Sequence, residues 1–228
     1  MHYLLTHLDD AWALTLVHLR LSLLPVLIGL AVAVPLGAVV RRAPVARGLT
    51  TATAAVVFTI PSLALFVMLP VIIGTRILDE ANVIVALTAY TAALLVRAVL
   101  EALDAVPEQV REAAIAIGYP PVMRMLKVEL PLSTPVLTAG LRVVVVANIA
   151  MVSVGSVIGI GGLGTWFTEG YQTDKSDQIV AGIVALFVLA VVIDGLIVLA
   201  GRVVTPWERA ARDTRRRSIV APVAGGAR

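Results

Sequence analysis

The chain is predicted to be an all-α membrane protein with five core transmembrane helices. Three observations carry that prediction: its composition, five apolar runs, and the sorting of charge between them. Of its 228 residues, 59% are hydrophobic and 14% are charged, and its mean hydropathy is +0.97. A soluble domain is about 45–50% apolar and about 25% charged. The excess apolar surface must therefore face lipid. Five spans with short connections use most of the chain, which leaves no room for a second domain.

The five runs occupy residues 21–40, 49–73, 83–100, 132–158 and 179–200. Each approaches or exceeds the roughly 20 residues needed to cross a hydrocarbon core of about 30 Å. Pro25, Pro35, Pro61 and Pro70 lie inside or at the ends of spans, which membrane helices tolerate better than soluble ones do.

The links sort into basic and acidic. Residues 41–48 hold Arg41, Arg42 and Arg47, residues 101–131 hold Arg111, Arg124 and Lys127, and the tail beyond Arg202 is Arg-rich. Residues 74–82 set Arg76 beside Asp79 and Glu80, and residues 159–178 set Lys175 beside Glu169, Asp174 and Asp177. The positive-inside rule then places the N-terminus outside and the C-terminus in the cytoplasm, as expected for a multi-pass protein of a bacterial cell membrane.

Residues 1–20 are expected to form a separate external or interfacial segment. Tyr3, Leu4, Leu5, Leu8, Trp12, Leu16 and Leu19 fall broadly on one helical stripe, interrupted by Asp9 and Asp10, which fits a helix lying on the outer leaflet or a loosely ordered extension. Residues 21–205 form the transmembrane domain. Residues 206–228 are expected to be a basic, disordered cytoplasmic tail. No cleavable signal peptide is expected, because the first residues lack a basic n-region.

Several chemistries have no residues to rest on. Cysteine is absent, and His2, His7 and His18 show no metal-ligand spacing. No G-x-x-x-x-G-K-[ST] segment occurs, so energy must come from a partner. Gly159-x-Gly161-x-x-Gly164 matches a dinucleotide fingerprint only formally, since that motif needs a βαβ context. Here it follows a membrane span, and a flexible or re-entrant loop near an external gate is expected. No nucleophile–base pair appears, so the chain is read as a non-enzyme, and no nucleic-acid partner is expected.

The loop at 101–131 reads as a helix–turn–helix. Pro107 suits the start of a helix over 108–117, Gly118 supplies a stop, and Tyr119-Pro120-Pro121 prevents simple continuation. A second helix over 122–129 reads as amphipathic, with Met123, Leu126 and Leu130 opposed to Arg124 and Lys127. Exposed Ala and Ile flanked by charge make the hairpin a docking surface for another protein; a hairpin that only joins two spans is the plainer alternative.

The spacing within this loop is more specific. Glu112-Ala113-Ala114, three residues, Gly118, nine residues, Val128, one residue, Leu130-Pro131 resembles the EAA signature of ABC importer permeases, with Val for the usual Ile. The resemblance implies a type I importer permease fold with a cytoplasmic coupling helix pair. By it, Glu112, Ala113 and Ala114 form the face docked on an ABC ATPase, Gly118 allows the sharp turn, and Leu130-Pro131 fix entry into the next span. It further implies two permease chains, identical or paralogous, enclosing one pathway, and an external substrate-binding protein. ATP and Mg would be bound by the ATPase and no cofactor by this chain.

Thr59-Ile60-Pro61-Ser62-Leu63-Ala64-Leu65, the 159–164 glycine stretch and Ile193-Asp194 are similar to segments of osmoprotectant permeases, which move glycine betaine, choline or carnitine. Related amino-acid permeases share parts of these segments, so an amino acid or another small solute is the alternative cargo. A self-contained secondary transporter would show inverted repeats and buried ion-binding carboxylates; no repeat is visible, and Asp194 is the one mid-span acid. Thr59, Pro61, Ser62, Asn148, Ser153, Ser156 and Asp194 are candidate pathway residues. The hydroxyls and the amide could equally serve interhelical hydrogen bonds, and Asp194 could pair with Arg97 or Arg142. With aromatics at 5% of the chain, an aromatic cage for a quaternary ammonium is expected on the separate binding protein.

Overall fold

The computed structural model describes residues 2–207, with the side chain of His2 excepted. The tail expected from residue 206 lies, from residue 208 on, outside the described residues. The described chain is helical throughout: α1 (His2–Thr6), α2 (Leu8–Val40), α3 (Pro44–Thr59), α4 (Ser62–Ile73), α5 (Glu80–Asp104), α6 (Glu108–Ala116), α7 (Pro121–Arg124), α8 (Leu130–Gly155), α9 (Thr165–Gln172) and α10 (Ser176–Val204). A π-helical turn, Met125–Glu129, joins α7 to α8, and a 3₁₀ turn, Ser156–Ile158, follows α8.

Among the described residues four helical segments are long and apolar enough to cross a membrane, and α3 with α4 makes a fifth if the bent pair is one span. The first is longer than the apolar run suggested. Helix α2 has 33 residues, about 50 Å at the α-helical rise, and residues 8–20 are its first turns. No break separates them from the span. The reason is burial: His18 is fully buried and its Nε2–H donates to the Ile149 carbonyl on α8 at 2.9 Å. The short piece α1 precedes it, where Tyr3 stacks on His7 at 4.2 Å and meets Trp166 edge-on at 5.4 Å.

The second expected span, 49–73, is not one helix. It breaks between α3 and α4 with a bend of 100°. Pro61 has no N–H to continue the helix and forces its predecessor into extended backbone; Ile60 has φ −68° and ψ 129°. The carbonyl freed at Ile60 accepts the Tyr90 hydroxyl from α5, so a neighbouring helix satisfies the broken backbone.

Helices α2 and α5 run parallel, since Arg20 pairs with Glu80 at 3.3 Å near one end and Gly37 meets Val99 near the other. The bent pair α3–α4 therefore carries the chain back between them. Helix α8 runs antiparallel to both: Gly140 lies on Ala98, and Asn148 Nδ2 donates to Thr91 Oγ1 at 2.8 Å and to the Ser22 carbonyl at 3.2 Å. These contacts close an α2–α5–α8 core filled by Leu21, Phe66, Leu87, Tyr90 and Val152 toward one end, and by Ala33, Ala54, Val96, Val99 and Val144 toward the other. Helix α10 leans on α8 through Val145 and Ile149 against Leu186 and Ile193. Its other face leaves Phe187, Val188, Val191, Val192 and Leu196 exposed, as a lipid-facing or partner-facing helix should.

The glycine-rich stretch expected to be a flexible or re-entrant loop is packed. Ile160 and Leu163 are buried, and a Cβ on Gly162 would fall 2.5 Å from the Leu14 carbonyl oxygen and from His18 Cβ. Small residues are required there because α2 passes directly against the segment.

Candidate functional site: a hairpin anchored on a buried carboxylate

Helix α6 starts after Pro107 and stops at Gly118, as the sequence requires. Gly118 has φ +87°, a conformation that costs any residue with a Cβ. Its N–H donates to the Ile115 carbonyl at 2.9 Å and the Tyr119 N–H to the Ala114 carbonyl at 3.0 Å, the paired bonds of a Schellman stop. Of the residues expected on the docking face, Glu112 and Ala113 are exposed, whereas Ala114 is buried and faces the protein. Ile115 and Ile117 extend the exposed face, and Val122, Met123 and Leu126 add to it from the returning limb.

The returning limb corrects the amphipathic expectation. Met123 and Leu126 are exposed beside Lys127, whereas Arg124 is buried. Two causes act together. Pro131 in a regular helix would press on the carbonyl four residues before it, and the wider π turn relieves this: the Leu130 N–H reaches back to the Met125 carbonyl. A π turn also aligns residues five apart, which brings Arg124 Nε within 2.9 Å of Glu129 Oε1. Leu130 and Pro131 begin α8 and are half-buried.

Glu129 is the centre of the site, and sequence reasoning missed it. It is 1% exposed, with Arg41 Nη1 2.5 Å from its Oε2 and Arg111 Nε 3.7 Å from the same oxygen. Arg111 also pairs with Glu108 and donates through Nη2 to the carbonyls of Leu103 at 3.3 Å and Val106 at 3.5 Å. Burial pulls the Arg41 guanidinium below its ordinary pKa, and the Glu129 charge pushes back. The one local signal was Arg124 five residues before Glu129; Arg41 comes from the far end of α2 and no spacing announces it.

The candidate pathway residues fall in four places. Thr59, Pro61 and Ser62 sit together at the α3–α4 break, with Thr59 and Pro61 exposed. Asn148 is buried and occupied by Thr91 and Ser22. Ser153 and Ser156 lie at the end of α8, where the Ser156 hydroxyl donates to the Ser153 carbonyl at 2.7 Å. Asp194 stands apart from all of these and is engaged by Arg142; Arg97 is exposed on α5. At the end of the bundle opposite the hairpin, Arg20, Arg76, Asp79 and Glu80 line a charged groove. Among the described residues no group of His, Cys, Asp and Glu could hold a metal ion.

Comparison with known proteins agrees with this architecture. The chain is 35% identical over 212 residues to the osmoprotectant import permease protein OsmW of Salmonella typhimurium, covering 90% of this chain and 97% of that one. It is 33% identical to the choline transport system permease protein OpuBB of Bacillus subtilis, covering 83% and 86%. In structure it is similar to a chain of the MetNI methionine ABC transporter in an inward-facing conformation, with a TM-score of 0.73 and 26% identity over 90% of this chain and 97% of that one. Residues 25–206 match the family described as the binding-protein-dependent transport system inner membrane component. The chain belongs to that family, and it is the permease subunit of an ABC importer rather than an ATPase.

Proposed function

We propose that this permease forms the membrane pathway for an osmoprotectant such as glycine betaine, choline or carnitine, driven by ATP hydrolysis on a separate subunit. The single observation that supports the coupling half of this reading is the hairpin. Glu112, Ala113, Ile115 and Ile117 project from a helix whose stop and return are rigidly set, and an exposed apolar patch rimmed by charge is what a partner groove accepts. In this reading the hairpin lies in the cytoplasm against the ATPase, which binds ATP and Mg, and the N-terminus lies outside. The Arg-rich links at the hairpin end and the acidic links at the other support that orientation. A second permease chain completes the pathway, and an external binding protein delivers the solute.

The cargo reading rests on the osmoprotectant and choline permeases that the chain resembles at 33–35% identity. The 26% similarity to a methionine transporter chain favours an amino acid as the second reading. The test is uptake by proteoliposomes holding this chain, the ATPase and the binding protein, all taken from neighbouring genes. ATP-dependent accumulation of radiolabelled betaine or choline is expected. Uptake that proceeds without ATP overturns the importer reading, and uptake of methionine in place of betaine selects the alternative cargo.

A further inference from the structure

The hairpin between Pro107 and Leu130 touches the bundle in an unusual way. Helix α6 buries one side chain, Ala114. Helix α7 buries Arg124 alone, and the π turn buries Glu129 alone. The apolar anchors of this segment on the bundle are therefore few: Ala114, and Met125 and Leu130, which pack against the core while only half-buried. Beside them it has an ionic joint. Glu129 meets Arg124 of its own limb, Arg111 of α6, and Arg41 at the end of α2. Arg111 extends the joint to the Leu103 carbonyl in the last turn of α5 and to the Val106 carbonyl just beyond that helix. Because Glu129 directly precedes α8, the three helices of the bundle core all meet the hairpin at this point.

Buried ion clusters of this kind are weak evidence of stability, because desolvation offsets most of the attraction. Their best-attested use is to fix the register of the elements that carry the charges. Here those elements are the docking helix on one side and α2 and α8 on the other.

We propose that Glu129 is a positioning residue of the transport cycle: its carboxylate, shared by Arg41, Arg111 and Arg124, is the joint through which displacement of α6 reaches α2 and α8. The proposal rests on the reading of the hairpin as the ATPase seat. Three discrete partners on one carboxylate also give the joint distinct arrangements to switch between, since one arginine can leave while two retain their counter-ion.

The experiment uses the complete complex, with ATPase and binding protein, reconstituted in vesicles. Two quantities are read: co-purification of the ATPase, and solute imported per ATP hydrolysed. For Arg111→Gln, which leaves Arg41 and Arg124 with their counter-ion, the ATPase still co-purifies and the import ratio falls roughly fivefold or more. Glu129→Gln lowers the ratio further, and Glu129→Asp, which keeps the charge, retains more of it than Glu129→Gln does. An unchanged ratio in Arg111→Gln overturns the proposal. Should Glu129→Gln not accumulate in the membrane, Arg111→Gln decides alone. Loss of the complex in both variants shows a role in hairpin folding only and likewise overturns it. Failure of the unsubstituted chain to hold the ATPase is a separate result, and counts against the function proposed above.

Discussion

Asp194 on α10 receives Nε and Nη2 of Arg142 on α8, each at 2.7 Å. The fork-to-fork geometry is the strong form of a charge-assisted bond. It holds α10, which also packs on α8 at Gly201 and on α9 at Gly182, at a set height along α8. The pair accounts for a mid-span acid without assigning it to solute. Asp194→Asn leaves the guanidinium without its counter-ion in an apolar phase, so lower yield and a lower Tm in detergent are expected. Asp194→Leu combined with Arg142→Leu should recover more than half of that loss, because neither charge then needs a partner. A double variant as damaged as the single one would show that the ionic bond itself is required.

Tyr90 donates its hydroxyl to the Ile60 carbonyl at the helix break, and its ring meets Phe58 edge-on at 5.8 Å. Tyr90→Phe keeps the ring packing and deletes the donor, leaving a carbonyl unsatisfied beside Pro61. The expected cost is about 1–3 kcal/mol, read as a lower unfolding midpoint. Thr59 and Ser62 flank the same break, so transport should fall more than stability alone would explain. Unchanged unfolding and uptake would mean that Pro61 holds the bend unaided.

The span pattern was readable because lipid imposes a local rule: a run of about twenty apolar residues must cross, and Lys and Arg sort by side. What escaped depends on partners distant in sequence. Residues 8–20 carry Asp9, Asp10 and His18, which interrupt the apolar run; only the Ile149 carbonyl on α8 explains why His18 can be buried. Pro61 was visible, but the bend needs Tyr90 to satisfy what the proline frees.

The hairpin divides in the same way. Gly118 and the prolines act on their own backbone, so the turn was legible, as was the spacing from Glu112 to Pro131. The sidedness of the returning limb was not. An α-helical wheel puts Arg124 on the polar face, whereas the π turn brings it to Glu129 and leaves Met123 and Leu126 outside. Arg41 joins from another span, and no pattern along the chain predicts it.

Close approach of α2 and α5 is set by small residues, and one position tests it cleanly. A Cβ on Gly29 would lie 2.4 Å from Thr91 Cγ2, so Gly29→Ala must push the helices apart, at about 1–3 kcal/mol by analogy with overpacked cores. Thr91→Ser deletes that methyl and keeps the hydroxyl that accepts from Asn148. The double variant Gly29→Ala with Thr91→Ser should regain part of the lost Tm. No recovery would locate the clash on the atoms that Thr91→Ser leaves in place, Cβ of residue 91 at 2.9 Å and Ala92 N at 3.1 Å.

Gly118 offers a graded test of the docking hairpin. Its φ of +87° disfavours a branched side chain more than Asn, and a left-handed residue with a Cβ costs about 1–2 kcal/mol. No neighbour lies within 4 Å of a Cβ placed there, so any effect comes from the backbone and not from a clash. Gly118→Asn should retain most of the ATPase bound by the wild type, because Asn tolerates this conformation. Gly118→Val should lose the greater part, since relaxing the turn rotates Ile115 and Ile117 relative to Val122 and Leu126 and divides the apolar face between two directions. Co-purification of the ATPase at matched membrane levels measures both. Equal binding by the two variants would mean that the turn's geometry is irrelevant to docking, and that Glu112 and Ala113 act without the returning limb.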